Sequence, residues 1–328
     1  MAMVAMVAAV AMVAAVAGID RVPAAAPMKS PQRSLQARVL PVLSVLACVL
    51  LLWYAGAVAL NRAGAIERVL PNLPKSSHPN GDWTVSDLVS ATLNMERPVL
   101  PAPHQVLADL QSSLFDWPLD SPRNLLYHVA VTAQSTLVGF VLGTLLGIGL
   151  AAAIVHSRTL DRALLPWIVA SQTVPVLAIA PIVLVILGSQ GFSGVAPKAT
   201  IAMYLCFFPV TVAMVAGLRA PQRIETELLH TYAASRLQAF WLLRMPSALP
   251  YLFPSLRVAI AAGLVGAMVA ELPTGAQAGL GAKLLTGSYY GNTVGIWSAL
   301  VMSALLGLAL TAAVAGIERL VLRQRSAG

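Results

Sequence analysis

Residues 227–250 read ELLHTYAASRLQAFWLLRMPSALP and separate two long apolar runs in a chain that carries few charges. Its glutamate, histidine and two arginines make this stretch too polar to span a bilayer, because each charged side chain at mid-bilayer costs roughly 2.5–3.5 kcal/mol. Its apolar residues recur at helical spacing until Pro246 and Pro250. The stretch therefore predicts a short amphipathic helix on a loop at the membrane surface, ending at these prolines.

The composition of the whole chain is that of a polytopic membrane protein. Of its 328 residues, 58% are hydrophobic and 10% are charged. So little polar surface cannot cover a soluble globule. The excess of Lys and Arg does not indicate nucleic acid as a partner, since positive residues in such chains collect in cytoplasmic loops. We predict an all-α membrane protein with lipid as its surroundings.

Apolar runs of membrane length predict six spans. They lie at about 39–60, 128–155, 164–187, 200–218, 252–272 and 295–314. We interpret 1–38 as a cytoplasmic leader, in which the Ala-, Val- and Met-rich residues 1–27 represent a mis-called start. Residues 61–123 form an extracytoplasmic loop, and 124–325 form a core domain with five of the spans and a cytoplasmic segment at 220–250.

The positive residues predict how the chain is oriented. With both termini in the cytoplasm, the short loops that carry most of the Lys and Arg also face the cytoplasm, as the positive-inside rule expects. The Lys and Arg residues outside the cytoplasm lie mostly in the long loop 61–123, where charge has the least influence on orientation. This orientation also places 227–250 in the cytoplasm of a multi-pass membrane protein.

Glycines recur through the second span, at Gly139, Gly143, Gly147 and Gly149. Small residues at such intervals let two helices approach closely in lipid. We therefore expect this span to pack against another helix along its glycines.

Three features of the later spans suggest a pathway or gate. Pro175 and Pro181 interrupt the third span and are expected to kink it, with Gln172 and Thr173 just before the first kink. Packing and a place on the translocation path are equally open for these four residues. Glu271, at the end of the fifth span, needs a partner, water or a proton in such apolar sequence.

The stretch 227–250 resembles the cytoplasmic signature of permease subunits of bacterial binding-protein-dependent ABC importers. In that family an EAA segment is followed by glycine and, after a fixed gap, by two hydrophobic residues around a variable one and then proline. Glu227 takes the acid, Ala233 stands at the glycine and Pro246 closes the motif. Because Ala233 cannot adopt a positive φ without strain, we expect the turn to be helical here.

The resemblance implies a six-helix type I ABC importer transmembrane domain in a bacterial inner membrane. It implies a separate ATPase subunit that binds the ATP, an extracytoplasmic substrate-binding protein and a second permease copy as partners, with no cofactor on this chain. The small residues allow close approach, Phe240 and Trp241 offer apolar area, and Glu227 and Arg236 are available to pair at the rim. The implied ATPase-coupling residues are Glu227, Ala233, Ala234, Ser235, Arg236, Phe240, Trp241 and Pro246.

Two longer stretches narrow the resemblance. HSRTLDRALLPWIVASQTVPVLAIAPI at 156–182 and AELPTGAQAGLG at 270–281 are similar to permeases for nitrate, sulfonates, taurine, thiamine-precursor pyrimidines and riboflavin. The run SQTVPVLAIAP is closer to the heterocycle branch, so we expect a pyrimidine or riboflavin, with nitrate, sulfonate or taurine as the alternative. The family has an acid where Glu271 stands, which implies a structural role at the outer mouth and makes Glu271 a candidate for the gate.

Other classes of membrane protein fit less well. An ion-coupled secondary transporter is expected to show polar residues within its spans or an inverted repeat, and Glu271 is the one such residue found, at an edge. A membrane enzyme needs a motif such as HExxH or GxSxG, and the sequence contains neither. The GxxxxGK[ST] phosphate loop is also missing from the sequence. We therefore predict no catalytic residue and no metal site.

Overall fold

The computed structural model describes residues 35–70, 83–273 and 278–326, and its regular structure there is helical without a strand. The expectations for the start of the chain, up to residue 34, lie outside these residues. The helices are α1 (Leu35–Gly64), α2 (Val85–Leu93), α3 (Pro103–Phe115), α4 (Leu125–His156), α5 (Arg158–Ser171), α6 (Val176–Ser189), α7 (Val195–Leu218), α8 (Arg223–Thr231), α9 (Arg236–Ala239), α10 (Met245–Glu271), α11 (Leu280–Tyr290) and α12 (Thr293–Ser326). π-Helical segments continue α1 over Ala65–Val69 and join α9 to α10 over Phe240–Arg244.

Five helical stretches among the described residues are long and apolar enough to cross a membrane. They are Leu40–Val69, Leu125–His156, Val195–Leu218, Arg236–Glu271 and Thr293–Arg323. The bent pair α5 and α6 supplies a sixth crossing if the two helices count as one span. The all-α membrane fold predicted from the sequence is confirmed.

The third predicted span is not one kinked helix. The chain bends by 102° between α5 and α6. Proline disfavours helical backbone at the residue before it and lacks an N–H to donate, so Val174 and Pro175 end one helix and begin the next. Pro175 is the residue that precedes the first turn of α6, whereas Pro181 lies inside α6.

The chain forms two compact units. The first comprises the described residues up to Trp117 together with Thr286–Ala304. Within it, Asn61 at the end of α1 is almost fully buried, and its side-chain Nδ2 donates to the carbonyl groups of Thr92 and Leu100 at 3.2 and 2.8 Å. Its Oδ1 accepts from the N–H of Val99 at 2.7 Å. This one side chain fixes the segment after α2 against α1.

The second unit comprises Pro118–Leu285 and the chain from Leu305 onwards. Its core is built by α4, α7 and α10, which pack closely along their lengths. A β-carbon added to Gly139, Gly143 or Gly147 would lie 2.4, 2.5 or 2.9 Å from the nearest atom, in each case an atom of α7. The predicted glycine interface is confirmed for these three, but Gly149 has open space around it and was wrongly included.

The fifth span begins earlier than the sequence suggested. Helical backbone runs without a break from Arg236 to Glu271, through Pro246 and Pro250. The prediction that these prolines end the amphipathic helix is therefore wrong. The π-helical turn Phe240–Arg244 directly precedes Met245 and Pro246, and it accommodates the missing N–H of this proline within the continuous helix.

Candidate functional site

The segment from α8 to α9 is exposed along most of its length. No residue of α8 is buried, and the helix begins with the N–H of Gln222 donating to the carboxylate of Glu225 at 2.8 Å. Ile224, Leu228 and Tyr232 follow one another at four-residue intervals and are 70%, 57% and 77% exposed. These three residues therefore form an apolar strip along one face of α8 and its C-terminal cap residue Tyr232, and we call this strip the coupling face. Their spacing is visible in the sequence, although none of the three was predicted as a coupling residue.

The turn after α8 is broken and not helical. Ala233 has φ +55°, and the N–H groups of Ala233 and Ala234 donate to the carbonyl groups of His230 and Leu229, each at 3.0 Å. This pair of hydrogen bonds is the Schellman arrangement that ends many helices. The expectation of a helical turn is wrong, because the two hydrogen bonds hold alanine in a conformation that glycine adopts without strain.

The next helix begins at Ser235. The Ser235 hydroxyl accepts from the N–H of Gln238 at 3.2 Å, and the Gln238 side chain accepts from the N–H of Ser235 at 2.8 Å. This reciprocal capping box satisfies two backbone donors at the start of a long helix. Arg236 is the first helical residue and is exposed, so its guanidinium group lies on the surface beside the turn.

Glu227 makes its ion pair within α8. Its carboxylate accepts from Arg223 Nε at 2.7 Å, and both side chains are largely exposed. An exposed pair four residues apart stabilises a helix by only about 0.3–0.5 kcal/mol. Glu227 is therefore held in place but remains accessible to another protein.

Phe240 and Trp241 lie in different environments. Phe240 is buried in the core of the second unit, with its ring centroid 5.0 Å from that of His156 in α4. Trp241 is 58% exposed. Neighbouring residues of a helix point about 100° apart, so they cannot share a face. The expectation that Phe240 offers exposed apolar area is wrong, and it holds for Trp241 alone.

An ion pair ties the chain leading into this segment to α5. Arg219, directly after α7, donates from Nη2 to a carboxylate oxygen of Asp161 at 2.8 Å. Asp161 lies in the first turn of α5, where a carboxylate is favoured by the helix dipole. The chain leading into α8 is thus held against α5 by this ion pair, and the chain after α9 is held in the core by Phe240.

Glu271 is fully buried at the end of α10 and has several partners. The hydroxyl of Thr132 in α4 donates to its carboxylate at 3.0 Å, and the ammonium group of Lys198 in α7 lies 3.4 Å away. The N–H of Gly281 donates to it at 2.8 Å. The structure thus supplies the partner that the sequence required, and the carboxylate joins the three core helices.

The same cluster holds the start of α11. Gly279 donates its N–H to Nδ1 of His128 at 3.0 Å, and Leu280 donates to the hydroxyl of Thr132 at 2.8 Å. Nε2 of His128 faces the carbonyl oxygen of Pro122 at 2.8 Å, so His128 carries its proton on Nε2. Three successive N–H groups, from Gly279 to Gly281, are therefore capped by side chains of α4 and α10.

Two glycines make this arrangement possible. Gly279 has φ +128°, and a β-carbon there would lie 2.2 Å from the carboxylate of Glu271. A β-carbon at Gly281 would lie 2.3 Å from the carbonyl oxygen of Met268. We call Glu271, Lys198, Thr132 and His128, with the backbone of 279–281, the polar cluster. Sequence reasoning found only Glu271, because its partners come from helices 73 and 139 positions away.

The remaining gate candidates lie at the bend between α5 and α6. Gln172, Thr173, Pro175 and Pro181 are all exposed. The hydroxyl of Thr173 donates to the carbonyl of Ala170 at 2.8 Å and closes the last turn of α5. Glu271, by contrast, is fully buried. The pathway and gate candidates thus comprise four exposed residues at the bend and one buried carboxylate.

Comparison with known proteins places the chain among transport proteins. The family model described as binding-protein-dependent transport system inner membrane component matches residues 143–324. This range contains α8, the turn after it and, in the polar cluster, Lys198 and Glu271. The formylaminopyrimidine transport permease protein of Halalkalibacterium halodurans is 33% identical over 72% of this chain and 90% of its own length.

Two further relatives carry other substrates in their names. The riboflavin transport system permease protein of Chloroflexus aurantiacus is 31% identical over 69% of this chain and 80% of its own. The taurine transport system permease protein of Escherichia coli is 26% identical over 72% of this chain and 82% of its own.

Proposed function

We propose that this chain imports a heterocycle. It belongs to the family of binding-protein-dependent transport system inner membrane components and is a permease subunit of an ABC importer. It is a multi-pass membrane protein, and in its family ATP hydrolysis resides in a separate subunit. Membership in this family decides against the secondary transporter and the membrane enzyme that the sequence left open. Partnership with an ATPase and a substrate-binding protein follows from the family.

The observation that carries the coupling role is the length of the helix that leaves the exposed segment. The stretch Arg236–Glu271 has 36 residues. At about 1.5 Å per residue it extends about 54 Å, well beyond the roughly 30 Å of hydrocarbon in a bilayer. With Glu271 at the far end, more than a third of the helix, together with α8, stands outside the hydrocarbon. A subunit that binds α8 can therefore transmit its movement to a helix that crosses the membrane.

The coupling face supports a docking site at α8. Ile224, Leu228 and Tyr232 present apolar and aromatic area, and Glu227 and Arg223 provide charges beside it. Central apolar anchors with a charged rim are typical of protein interfaces. We infer that the ATPase subunit receives this face, with both termini of the permease in the cytoplasm. We infer that a second permease copy completes the translocation pathway.

The proposed substrate class rests on the sequence similarity of this chain to relatives whose names state a substrate. The relatives named for formylaminopyrimidine and riboflavin are 33% and 31% identical to this chain, whereas the taurine permease is 26% identical. The bend between α5 and α6 contains the stretch SQTVPVLAIAP, which resembles the heterocycle branch of the family. We therefore propose a flat heterocycle, such as a thiamine-precursor pyrimidine or riboflavin, as the solute.

Two measurements test this function. The full chain is co-expressed with its ATPase subunit, purified through a tag on the permease and assayed for the ATPase; recovery of a stable complex is expected. Uptake of radiolabelled formylaminopyrimidine, riboflavin and taurine is then compared in cells that contain the complete importer. Failure to recover any ATPase contradicts the importer role, and preferential uptake of taurine contradicts only the heterocycle assignment.

A further inference from the structure

The bend between α5 and α6 lies at the depth of the hydrocarbon. The hydroxyl of Tyr204 in α7 donates to the carbonyl oxygen of Ser171, the last residue of α5. Tyr204 is nine positions after Val195 and fourteen before Leu218, or about 14 and 21 Å along the helix axis from the two ends of α7. The 24 residues of α7 extend about 36 Å, so the roughly 30 Å of hydrocarbon covers this helix except at its ends. The bend is therefore held within the membrane.

Contacts with α7 and α10 place the two halves of the bent pair on either side of this depth. Asp161, in the first turn of α5, pairs with Arg219, directly after the last residue of α7. Ala180 in α6 is fully buried and shares a cluster with Ile201 and Ala270, near the ends of α7 and α10 that carry the polar cluster. The chain thus runs from one face of the membrane through the bend toward the other.

Polar groups are exposed at the bend. The N–H groups of Gln172, Thr173 and Val174 close the last turn of α5 by donating to the carbonyl groups of residues 169–171. The first N–H groups of α6 have no partner within the helix, and its N-cap residue Pro175 supplies no side-chain hydrogen bond. Gln172 is exposed, and among the described residues its side-chain amide makes no hydrogen bond. The bend therefore presents a side-chain amide and open backbone groups at membrane depth.

Lipid cannot satisfy these polar groups. Hydrocarbon offers no hydrogen-bond partner, so helices are broken within a membrane only where the break is covered by protein or borders water. In the second unit the break is not covered, since residues 172–175 are all exposed. A dry contact with another protein would suit an apolar side chain, whereas the amide of Gln172 has two donors and an acceptor that need partners. These observations favour water at the bend.

The amide of Gln172 also matches the edge of a heterocycle. A glutamine amide donates and accepts side by side, as when it binds the amino group and the adjacent ring nitrogen of adenine. An aminopyrimidine presents the same adjacent amino group and ring nitrogen. A solute of this class can therefore replace water at Gln172 with two hydrogen bonds.

We propose that the bend borders the water-filled pathway of the solute and that the side-chain amide of Gln172 hydrogen-bonds the heterocycle during its passage. This inference rests on the proposed import function. It assigns to the pathway a residue for which the sequence left packing equally open. Residue 172 is then in contact with water in the assembled importer, although it lies at the depth of hydrocarbon.

Cysteine modification tests the contact with water. Vesicles with the complete importer carry Gln172→Cys or Leu51→Cys, each combined with Cys48→Ala to remove the exposed native thiol. Leu51 is the matched control, because it is 71% exposed and lies eleven positions, about 16 Å, into the unbroken stretch Leu40–Val69. A cationic methanethiosulfonate on both sides of the membrane reacts with the thiolate, which forms in water. The reaction at residue 172 is expected to be at least about tenfold faster than at residue 51.

Uptake tests the contact with the solute. The assay uses the radiolabelled heterocycle, formylaminopyrimidine or riboflavin, that the unmodified importer takes up. Gln172→Leu removes the amide and is expected to lower this uptake about tenfold, because the polar edge of the solute loses its partner. Gln190→Leu is the matched control, since Gln190 is exposed at the other end of α6 and its substitution should leave uptake unchanged.

Two results overturn the proposal. They are equal modification at residues 172 and 51, and equal uptake by Gln172→Leu and Gln190→Leu. The modification rate needs no solute, so it decides the place of the bend even if the importer carries neither heterocycle. Failure to recover the ATPase with the unmodified chain contradicts the importer role, whereas recovery of the ATPase with an unreactive Gln172→Cys variant contradicts only the pathway assignment.

Discussion

The ammonium group of Lys198 lies 3.4 Å from the carboxylate of Glu271, and the two side chains are 9% and 0% exposed. They belong to α7 and α10, and Lys198 also donates to the carbonyl of Ala278 at 2.9 Å. Because Thr132 and Gly281 bind the same carboxylate, the pair belongs to a network that joins the core helices to the start of α11. The network therefore holds the ends of the core helices and the start of α11 together in the second unit.

We predict that Lys198→Met destabilises the permease severely. It leaves a buried carboxylate without its counter-charge, and breaking a buried pair in this way typically costs about 3–5 kcal/mol. The measurement is the unfolding midpoint of the purified protein in detergent. The double variant Lys198→Met/Glu271→Gln removes both charges and should recover much of the loss. If the double variant is as unstable as the two single losses added together, the two residues are not coupled.

We predict that Gly279→Ala lowers stability more than the same substitution at another glycine with positive φ. Gly291 has φ +67° and open space around it, whereas a β-carbon at Gly279 would meet the Glu271 carboxylate. Gly291→Ala should therefore cost only the conformational strain, about 1–2 kcal/mol. Gly279→Ala adds the clash and should exceed it, as judged by thermal unfolding. Equal losses would contradict the packing of Gly279 on Glu271.

We predict that Ala233→Gly stabilises the turn between α8 and α9. Ala233 is held at φ +55°, and glycine relieves a strain of about 1 kcal/mol there. Amide hydrogen exchange of residues 228–238 measures the effect, which should appear as slower exchange. The control is Ala234→Gly, whose alanine does not have positive φ and which should give no gain. Faster exchange in Ala233→Gly would argue against the left-handed turn.

We predict that Glu227→Arg weakens assembly with the ATPase roughly tenfold or more, through charge repulsion at the docking site. The permease itself should remain folded, because an exposed pair four residues apart contributes only a few tenths of a kcal/mol. Co-purification and uptake are the measurements. Glu67→Arg reverses the charge of another exposed glutamate, after α1, and should leave assembly unchanged. Normal uptake by Glu227→Arg would count against the docking role.

We predict opposite behaviour for two adjacent aromatic residues. Phe240→Ala empties a buried site next to His156 and should cost about 3–5 kcal/mol of stability. Trp241→Ala removes an exposed ring and should change stability little. Thermal unfolding of both variants distinguishes them. Equal losses would show that Trp241 is also covered.

Composition alone was sufficient to predict the class of the molecule. Long apolar runs with few charges can satisfy their backbone in lipid only as helices, so composition was sufficient for an all-α membrane protein. The polar stretch 227–250 indicated the exposed segment, because its charges exclude it from hydrocarbon. The family signature then connected that segment with transport. These are properties of local composition, which tertiary structure does not change.

The contacts between residues of different helices follow from the packing of the fold. Lys198 and His128 become partners of the polar cluster only when α4, α7 and α10 pack, and no local pattern marks residues so far apart. The positive φ of Ala233 and the continuation of the helix through Pro246 likewise oppose local preference, since hydrogen bonds and packing outweigh strain of about 1 kcal/mol. Local composition sets which helices form, whereas contacts between distant helices set the positions of their polar groups.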